Sequence, residues 1–286
     1  MKLAQYFDKI EDLKVCCHLC PHSCVIRPDG LGACRARKNI SGELYSMNYG
    51  KVTSISLDPI EKKPLYMFRP GSMILSSGTF GCNLKCSFCQ NWSIAHQDAP
   101  TVEVSPDELI KKAIELKDKG NIGIAYTYNE PSIWYEYVSD TAKLARDNNL
   151  ANVLVTNGFI SREPLLELLP FIDAMNIDVK GYTASFYADI CKGALDNVKQ
   201  TVELCAKKCH VEITTLVIPG LNDSAEEISR MSQWIASISP DIPLHLSRFF
   251  PNYKMNDRPP TPVDTLVRAR DKATEYLKHV FLGNVW

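Results

Sequence analysis

The sequence contains no apolar run of the ~20 residues that a membrane-spanning helix needs. Its first residues are interrupted by polar side chains and lack the long apolar core of a signal peptide, so we expect the protein in the cytoplasm. It also lacks an excess of positive charge, with a formal net charge of −1. This balance argues against nucleic acid or an anionic membrane surface as the main partner.

What the chain does contain is an ordinary globular composition and many cysteines. Of its 286 residues, 45% are hydrophobic and 23% are charged, which suits one large α/β domain with a small appendage. Disulfides rarely persist in the cytoplasm, where thiols are kept reduced. The eleven cysteines are therefore expected as metal ligands or core residues.

Strand-like and helix-like stretches alternate from about residue 73 onward. Alternation of this kind predicts βαβ units around a parallel sheet. Six to seven units favour an α/β fold with a full or partial barrel over a short open sheet. The predicted strands are 73–79, 121–127, 151–155, 173–179, 210–217 and 242–249. The predicted helices are 105–119, 131–148, 161–170, 182–207, 223–238 and 261–278.

The chain divides into two predicted domains, 1–70 and 71–286. In the first domain, residues 1–14 carry apolar side chains at helical spacing and predict an amphipathic helix. Residues 15–40 are dense in Cys, Gly and Pro, which is typical of a loop module stapled by a metal. Residues 43–70 predict short strands, and the second domain is the predicted barrel.

Three cysteines with the spacing C-x3-C-x2-C follow the first predicted barrel strand, at Cys82, Cys86 and Cys89. A complete protein cage for a 4Fe–4S cluster uses four thiolates, so three would leave one iron open to a substrate or cofactor. Phe88, beside the third cysteine, could shield such a cluster and pack on a flat cofactor group. A zinc site completed by His96 is the alternative.

Polar residues follow or end the later predicted strands. In α/β barrels the reactive face lies at the carboxyl ends of the strands. Taken alone, each residue has a structural explanation, such as an ion pair at the barrel rim or a carboxylate at a helix N-terminus. Their common position beside the cysteine loop favours a functional site. They include Asn129, Glu130, Thr156, Asn157, Asp178 and Lys180.

A second cysteine group lies near the start of the chain, at Cys17, Cys20, Cys24 and Cys34. Four sulfurs complete a tetrahedral zinc site or cage a second iron–sulfur cluster. A small Gly- and Pro-rich module has little core of its own, so we expect a metal there. Zinc as a structural staple is favoured over an auxiliary cluster that relays electrons, and Cys16 is an alternative ligand to Cys17.

These motifs resemble a known family. The run Cys82-x3-Cys86-x-Phe88-Cys89 is similar to the signature of the radical S-adenosylmethionine (SAM) superfamily, and residues 89–92 resemble the branch that contains pyruvate formate-lyase activating enzymes. Nearly the whole chain also resembles the radical SAM component of the AmmeMemoRadiSam system. The segments that carry this closer resemblance are 20–24, 58–65, 126–131, 176–180, 218–223 and 253–255.

The resemblance implies a partial TIM barrel of the (β/α)6 type, a mechanism and partners. The amino and carboxylate groups of SAM would chelate the open iron of a 4Fe–4S cluster on the three central cysteines. One electron, from a flavodoxin or ferredoxin, would break the sulfonium bond to the 5′ carbon. The 5′-deoxyadenosyl radical would then abstract hydrogen from a protein glycine, another peptide or a small molecule. The AmmeMemoRadiSam resemblance also implies partner proteins.

The resemblance further implies contacts with SAM. Glu130 would accept a hydrogen bond from the SAM ammonium, and Lys180 would meet the SAM carboxylate through a charge-assisted bond. Asp178 matches an acidic position that helps to hold a monovalent cation in activating enzymes. The implied SAM-binding set consists of Phe88, Asn129, Glu130, Thr156, Asn157, Asp178, Lys180 and His245.

A non-enzymatic function stays open from the residues alone. The N-terminal cysteines together with a redox-inert central site would suit an iron–sulfur or zinc protein that carries electrons or binds metal. A zinc-dependent barrel hydrolase is a weaker third hypothesis. The response of a central cluster to SAM separates the enzyme from the carrier.

Overall fold

In the computed structural model, which describes residues 1–285, short strands come first and strands alternate with helices from residue 73 onward. The strands are β1 (Lys2–Leu3), β2 (Phe7–Lys9), β3 (Val15–Cys17), β4 (Val25–Ile26), β5 (Arg37–Ile40), β6 (Glu43–Ser46), β7 (Lys51–Val52), β8 (Ser54–Pro59), β9 (Met73–Gly78), β10 (Val102–Glu103), β11 (Asn121–Tyr126), β12 (Ala151–Thr156), β13 (Ala174–Asp178), β14 (His210–Val217), β15 (Leu244–Arg248) and β16 (Val280–Gly283). The α-helices are α1 (Trp92–Ala95), α2 (Pro106–Glu115), α3 (Tyr135–Asp147), α4 (Arg162–Leu168), α5 (Ala184–Phe186), α6 (Leu195–Cys205), α7 (Ala225–Ile238) and α8 (Val263–Ala273).

Eight strands form one sheet in the order β16-β15-β14-β13-β12-β11-β9-β8. Neighbours between β9 and β16 pair in parallel, and β8 pairs antiparallel with β9 at one edge. The sheet runs from β16 to β8 without closing, so it is a barrel left open on one side. The predicted α/β partial barrel is confirmed. Strand β8 joins this barrel from the part of the chain that the sequence assigns to the N-terminal domain.

Two of the helices that cover the sheet, α2 and α7, begin at serine caps. Ser105 accepts a hydrogen bond from the N–H of Glu108, and the Glu108 carboxylate accepts one from the N–H of Ser105 in return. At the start of α7, Ser224 accepts from the N–H of Glu227. These caps set where each helix begins and therefore how long the preceding loop is. No helix among residues 1–285 is both long and apolar enough to cross a bilayer.

The amphipathic helix predicted over residues 1–14 is wrong. Lys2–Leu3 pairs with β6 and Phe7–Lys9 pairs with β3, both antiparallel. Tyr6 lies between these strands with a φ of 58°, in the left-handed region that ends a helix. Strand pairing with segments distant in sequence thus overrides the local helical periodicity.

The single helix predicted over residues 182–207 is also wrong. The chain forms the short helix α5, a π-helical turn over Tyr187–Cys191, and then α6. Lys192, with a φ of 60°, separates the turn from α6. The interruption lets two backbone carbonyls at the end of the turn leave the helix and bind the cysteine loop. Insertions of this kind are frequent at functional sites.

An apolar cluster fills the amino-terminal end of the barrel. It joins side chains of four strands to the segment that connects β8 with β9. This segment also donates the N–H groups of Tyr66 and Met67 to the carboxylate of Glu212 inside the barrel. The floor of the barrel is therefore closed by the connection, and its opposite end stays open. The cluster consists of Ile60, Leu65, Ile74, Ala125, Val153 and Ala174.

Candidate active site

The three central cysteines lie on a tight loop that leaves the carboxyl end of β9. Gly81 has a φ of +91°, and a Cβ at this position would stand 2.5 Å from the carbonyl oxygen of Cys34. Only glycine allows this approach. Cys86 is buried, Cys82 and Cys89 are half-buried, and all three line a cavity of about 890 Å³. The loop thus presents three thiols to one cavity.

The π-helical turn over Tyr187–Cys191 is hydrogen-bonded to the backbone of the cysteine loop. The N–H of Lys85 donates to the carbonyl of Cys191 at 2.8 Å, and the N–H of Ser87 donates to the carbonyl of Ile190 at 3.2 Å. These bonds fix the backbone on either side of Cys86. In the predicted continuous helix, both carbonyls would instead accept hydrogen bonds from N–H groups of the helix itself.

Two asparagines connect the loop to the neighbouring strand ends. Asn129 donates to the carbonyl of Gly81 at 2.8 Å and accepts from the N–H of Thr79 at 3.1 Å. Asn157 donates to the side-chain oxygen of Asn83 at 2.9 Å, and its amide nitrogen is 3.7 Å from the sulfur of Cys82. Both residues of the predicted SAM-binding set therefore also position the cysteine loop.

Glu130 is a buried carboxylate that ties two turns together. One of its oxygens accepts from the hydroxyl of Thr156 at 2.7 Å and the N–H of Ser132 at 2.9 Å. The other accepts from the N–H of Asn157 at 2.7 Å. Burial raises the pKa of Glu130, and these three donors oppose that shift. The carboxylate is thus engaged by the protein on both oxygens.

A lysine stands beside the cysteines at the end of β13. The ammonium of Lys180 is 2.9 Å from the carboxylate of Asp178 and 5.9 Å from the ring centroid of Phe88. Burial alone would lower the pKa of Lys180, but the charges of Asp178 and Cys86 raise it well above its usual value. The side chain therefore stays cationic next to the thiols. Asp178, Lys180 and Phe88 all line the cavity.

Comparison with known proteins agrees with this geometry. A family model described as the radical SAM superfamily matches residues 76–232, more than half of the chain. The chain belongs to the radical SAM superfamily. Across its full length it is 44% identical to an uncharacterized protein of Methanocaldococcus jannaschii, and the match covers 86% of that protein.

Other relatives have names that state an activity. The chain is 25% identical to a putative glycyl-radical enzyme activating enzyme of M. jannaschii, over 71% of this chain and 77% of that protein. It is 28% identical to a pyruvate formate-lyase-activating enzyme of Clostridium pasteurianum, over 55% and 67% of the two chains. The crystal structure of Streptococcus suis SuiB has a TM-score of 0.57 at 13% identity, over 72% of this chain and 47% of SuiB. That structural likeness shows the fold alone.

Membership of the radical SAM superfamily makes the chain a radical SAM enzyme and implies a 4Fe–4S cluster and SAM. Its residues fit both. The three thiols of the loop line one cavity, where a cluster bound by three cysteines keeps one iron without a protein ligand. His96 lines the same cavity. The cavity volume is also in the range of ligand pockets.

His245 of the predicted set lies deeper in the cavity, on β15. Its Nε2 donates to the buried carboxylate of Glu212 at 2.6 Å, and His210 donates to the same carboxylate at 2.9 Å. Burial alone would raise the pKa of Glu212, but the two histidines and two backbone N–H groups lower it to about 2. His245 also lines the cavity, and its ring packs against those of Tyr66 and Phe281. Sequence reasoning missed Glu212, because its strand reads as ordinary barrel core.

A charged cluster on the cavity wall was also missed as a site. Asp58 accepts from the ammonium of Lys63 at 2.9 Å and from the hydroxyl of Tyr128 at 3.0 Å. Burial would raise the pKa of Asp58, yet Lys63 and Tyr128 hold it well below its usual value. All three residues line the cavity. The available signal was the segment 58–65, which sequence reasoning used only to support the resemblance.

The four N-terminal cysteines surround a second, small cavity. Cys17, Cys20 and Cys34 are buried and Cys24 is half-buried. The thiol of Cys16 instead faces the carbonyl of Ser23 at 3.7 Å. The geometry therefore brings together the four cysteines of the sequence proposal and leaves Cys16 outside.

Proposed function

We propose that this radical SAM enzyme holds a 4Fe–4S cluster on Cys82, Cys86 and Cys89 and cleaves SAM reductively. The observation that carries the proposal is that these three thiols and the Asp178–Lys180 pair line one cavity at the carboxyl ends of the barrel strands. When bound, the cofactors supply one electron and a 5′-deoxyadenosyl radical that takes a hydrogen atom from the substrate, leaving 5′-deoxyadenosine and methionine.

The residues of the chain bind and orient SAM in this proposal. Lys180 stays cationic and is held by Asp178, so it is suited to a charge-assisted bond with the SAM carboxylate. Glu130 accepts only one hydrogen bond on its second oxygen, which leaves a lone pair for the SAM ammonium. Its other bonds position Thr156 and Asn157 beside the cofactor, and Phe88 offers a flat face.

The substrate in this proposal is a protein glycine, another peptide or a small molecule. A protein glycine is supported by the relatives whose names identify them as activating enzymes for glycyl-radical enzymes and for pyruvate formate-lyase. The Asp58–Lys63 pair gives the cavity polar groups beyond those assigned to SAM. These groups would orient the substrate so that its reacting C–H bond faces the 5′ carbon.

The proposed partners follow from the chemistry. A flavodoxin or ferredoxin would supply the electron, and the AmmeMemoRadiSam resemblance adds two partner proteins as candidate substrates or effectors. A cytoplasmic location would keep the thiols reduced until the cluster is assembled.

The test is anaerobic reconstitution with iron and sulfide, followed by SAM and dithionite. We expect 5′-deoxyadenosine and methionine in equal amounts, and a change in the EPR spectrum of the reduced cluster on addition of SAM. Substitution of Cys82, Cys86 and Cys89 by Ala should abolish both products. The matched control is Cys205→Ser with Cys209→Ser, because these two cysteines lie on and beside α6, away from the cavity.

An assembled cluster that ignores SAM, both in its EPR spectrum and in product formation, would contradict the proposal. That result would favour the electron-carrier hypothesis. Equal activity of the triple alanine variant would show that these cysteines are not the ligands.

A further inference from the structure

The side-chain amide of Asn157 faces the sulfur of one central cysteine. Its Nδ2 is 3.7 Å from the Sγ of Cys82, within hydrogen-bonding range of a sulfur acceptor. Asn157 directly follows β12 and is buried. Water screens a buried donor little, so an N–H group here acts more strongly on a charged sulfur than it would at the surface.

The orientation of the Asn157 amide is fixed by its neighbours. Its Oδ1 accepts from the N–H of Phe159 at 2.9 Å, so Nδ2 is the atom that faces Cys82. Nδ2 donates one hydrogen to the side-chain oxygen of Asn83 at 2.9 Å. An amide nitrogen carries two hydrogens, so the second is left for the sulfur.

Further hydrogen bonds hold Asn157 in this place. The side-chain nitrogen of Asn83 donates to the carbonyl of Phe159 at 2.6 Å, which directs the Asn83 oxygen toward Asn157. The backbone N–H of Asn157 donates to the carboxylate of Glu130 at 2.7 Å. Backbone and side chain are both anchored, so the Nδ2 donor stays beside Cys82 unless several of these bonds break together.

The sulfur of Cys82 also receives a donor from the cysteine loop itself, the N–H of Leu84 at 3.4 Å. Hydrogen bonds to the sulfurs of an iron–sulfur cluster help to set its reduction potential. An N–H donor favours the reduced state, because the added electron makes the sulfur a more negative acceptor. The Leu84 donor belongs to the backbone, whereas the Asn157 donor can be removed by substitution.

We propose that Asn157 raises the reduction potential of the cluster through its hydrogen bond to Cys82. This inference rests on the proposed function, since it takes Cys82 as a ligand of the cluster. One electron passes from the flavodoxin or ferredoxin donor, which is oxidised, to the cluster, which is reduced, and no proton moves with it. Asn157 acts through the Cys82 sulfur, so in this step it is a positioning residue.

Asn129 offers a matched control at the neighbouring strand end. Its amide also holds the cysteine loop, by bonds to the carbonyl of Gly81 at 2.8 Å and to the N–H of Thr79 at 3.1 Å. Both of these partners are backbone groups. Loss of either asparagine side chain should therefore loosen the loop, and only loss of Asn157 removes the bond to the Cys82 sulfur.

An EPR-monitored redox titration in the absence of SAM tests the proposal. Wild type, Asn157→Leu and Asn129→Leu are reconstituted anaerobically, and the reduced cluster is quantified at the midpoint potential of wild type. Leucine has the branched shape of asparagine and no charge. We expect the ratio of reduced to oxidised cluster to fall at least threefold in Asn157→Leu. This fall equals about 28 mV, since a tenfold change corresponds to ~59 mV for one electron.

The ratio in Asn129→Leu should fall by less than threefold. A fall below threefold in Asn157→Leu, or a fall of threefold or more in both variants, would overturn the role of the sulfur bond. If Asn157→Leu assembles no cluster, Asn157→Ala and Asn129→Ala are compared by the same criterion.

The titration also separates this inference from the proposed function, because it requires no SAM cleavage. A wild-type protein that assembles no cluster on the three cysteines would overturn the proposed function and this inference with it. An assembled cluster whose potential does not respond to Asn157 would overturn this inference alone.

Discussion

Two buried carboxylates, Glu130 and Glu212, each connect separate segments of the chain around the cavity by hydrogen bonds. Glu130 joins the turn after β11 to the turn after β12, and Glu212 joins two barrel strands to the floor of the barrel. Each is almost fully buried and each has a donor on both oxygens. Removal of one carboxylate therefore leaves several donors unpaired at once, which costs more than the bonds themselves contribute.

Replacement of Glu130 tests this positioning role. Glu130→Ala should lower the free energy of unfolding by about 2–4 kcal/mol, because it leaves the donors of Ser132, Thr156 and Asn157 unpaired. Anaerobic denaturant unfolding measures the change. Exposed Glu115→Ala, on α2, should change stability by less than about 0.5 kcal/mol. Equal effects at the two sites would argue against a positioning role.

Acid should weaken the fold through Glu212. Its pKa is about 2 in the folded protein, below the ordinary carboxyl value. As the pH falls, the Glu212 carboxylate therefore takes up a proton in the unfolded chain before it does so in the folded protein. Its contribution to the free energy of unfolding is complete above the carboxyl pKa of the unfolded chain and is lost as the pH falls toward 2. Between pH 6 and pH 3 the loss should be about 2 kcal/mol.

Urea unfolding of metal-free protein across this pH range provides the measurement. Glu212→Gln removes the titrating group, so the variant should be less stable at pH 6 and should show a shallower decline toward pH 3. If wild type and variant decline in parallel, another group controls the acid response.

At the scale of elements, short irregular segments position the site more than the long helices do. The π-helical turn over Tyr187–Cys191 binds the cysteine loop by two carbonyls. The loop itself contacts the N-terminal segment through Gly81. Local sequence patterns did not show either feature, because a π-helical turn of five residues is too short to display a periodicity of its own.

Gly81→Ala tests the contact between the loop and the N-terminal segment. The left-handed backbone and the clash with the Cys34 carbonyl should together cost at least ~2 kcal/mol and reduce retention of iron. Gly71→Ala is the matched control, since Gly71 has a φ of +77° but no atom within 4 Å of an added Cβ. It should cost about 1 kcal/mol from backbone strain alone.

Iron analysis and denaturant unfolding of the two alanine variants make this comparison. An equal loss of stability in both variants would mean that the Cys34 carbonyl moves away from the added methyl group at no cost in free energy. Gly81 would then be required only for its positive φ.

For the whole molecule, one end of an open barrel carries the site and the other end is closed by a chain connection. The connection between β8 and β9 supplies Ile60 and Leu65 to the apolar floor. It also supplies Lys63 to the cavity wall, where Lys63 pairs with Asp58 near the end of β8. One segment thus links stability of the barrel to the shape of the cavity.

Leu65→Ala tests the floor. Leu65 is fully buried, so the substitution should lower the free energy of unfolding by about 2–5 kcal/mol. Leu166→Ala, at an exposed position of α4, should cost less than about 1 kcal/mol. Thermal unfolding of both variants, with iron content as a second readout, makes the comparison. A small effect at Leu65 would mean that the barrel floor does not depend on this connection.

The sequence alone determined the βαβ order, the partial barrel and the position of polar residues at the strand ends. The order of strands and helices follows from the local periodicity of apolar residues. The position of the polar residues follows from topology, because the carboxyl ends of parallel strands lie at one edge of the sheet. The three central cysteines could also be recognised from the sequence, because their close spacing places them on one loop.

Only the tertiary structure decided which distant groups meet. The pairing of β1 with β6 replaced a predicted helix, and Arg37 came to line one small cavity together with the four N-terminal cysteines. The contact of Cys34 with Cys82 spans residues far apart in the chain. Hydrogen bonding, desolvation and steric fit depend on distance in space, so no local pattern could fix the partners of Glu130, Glu212 or Gly81.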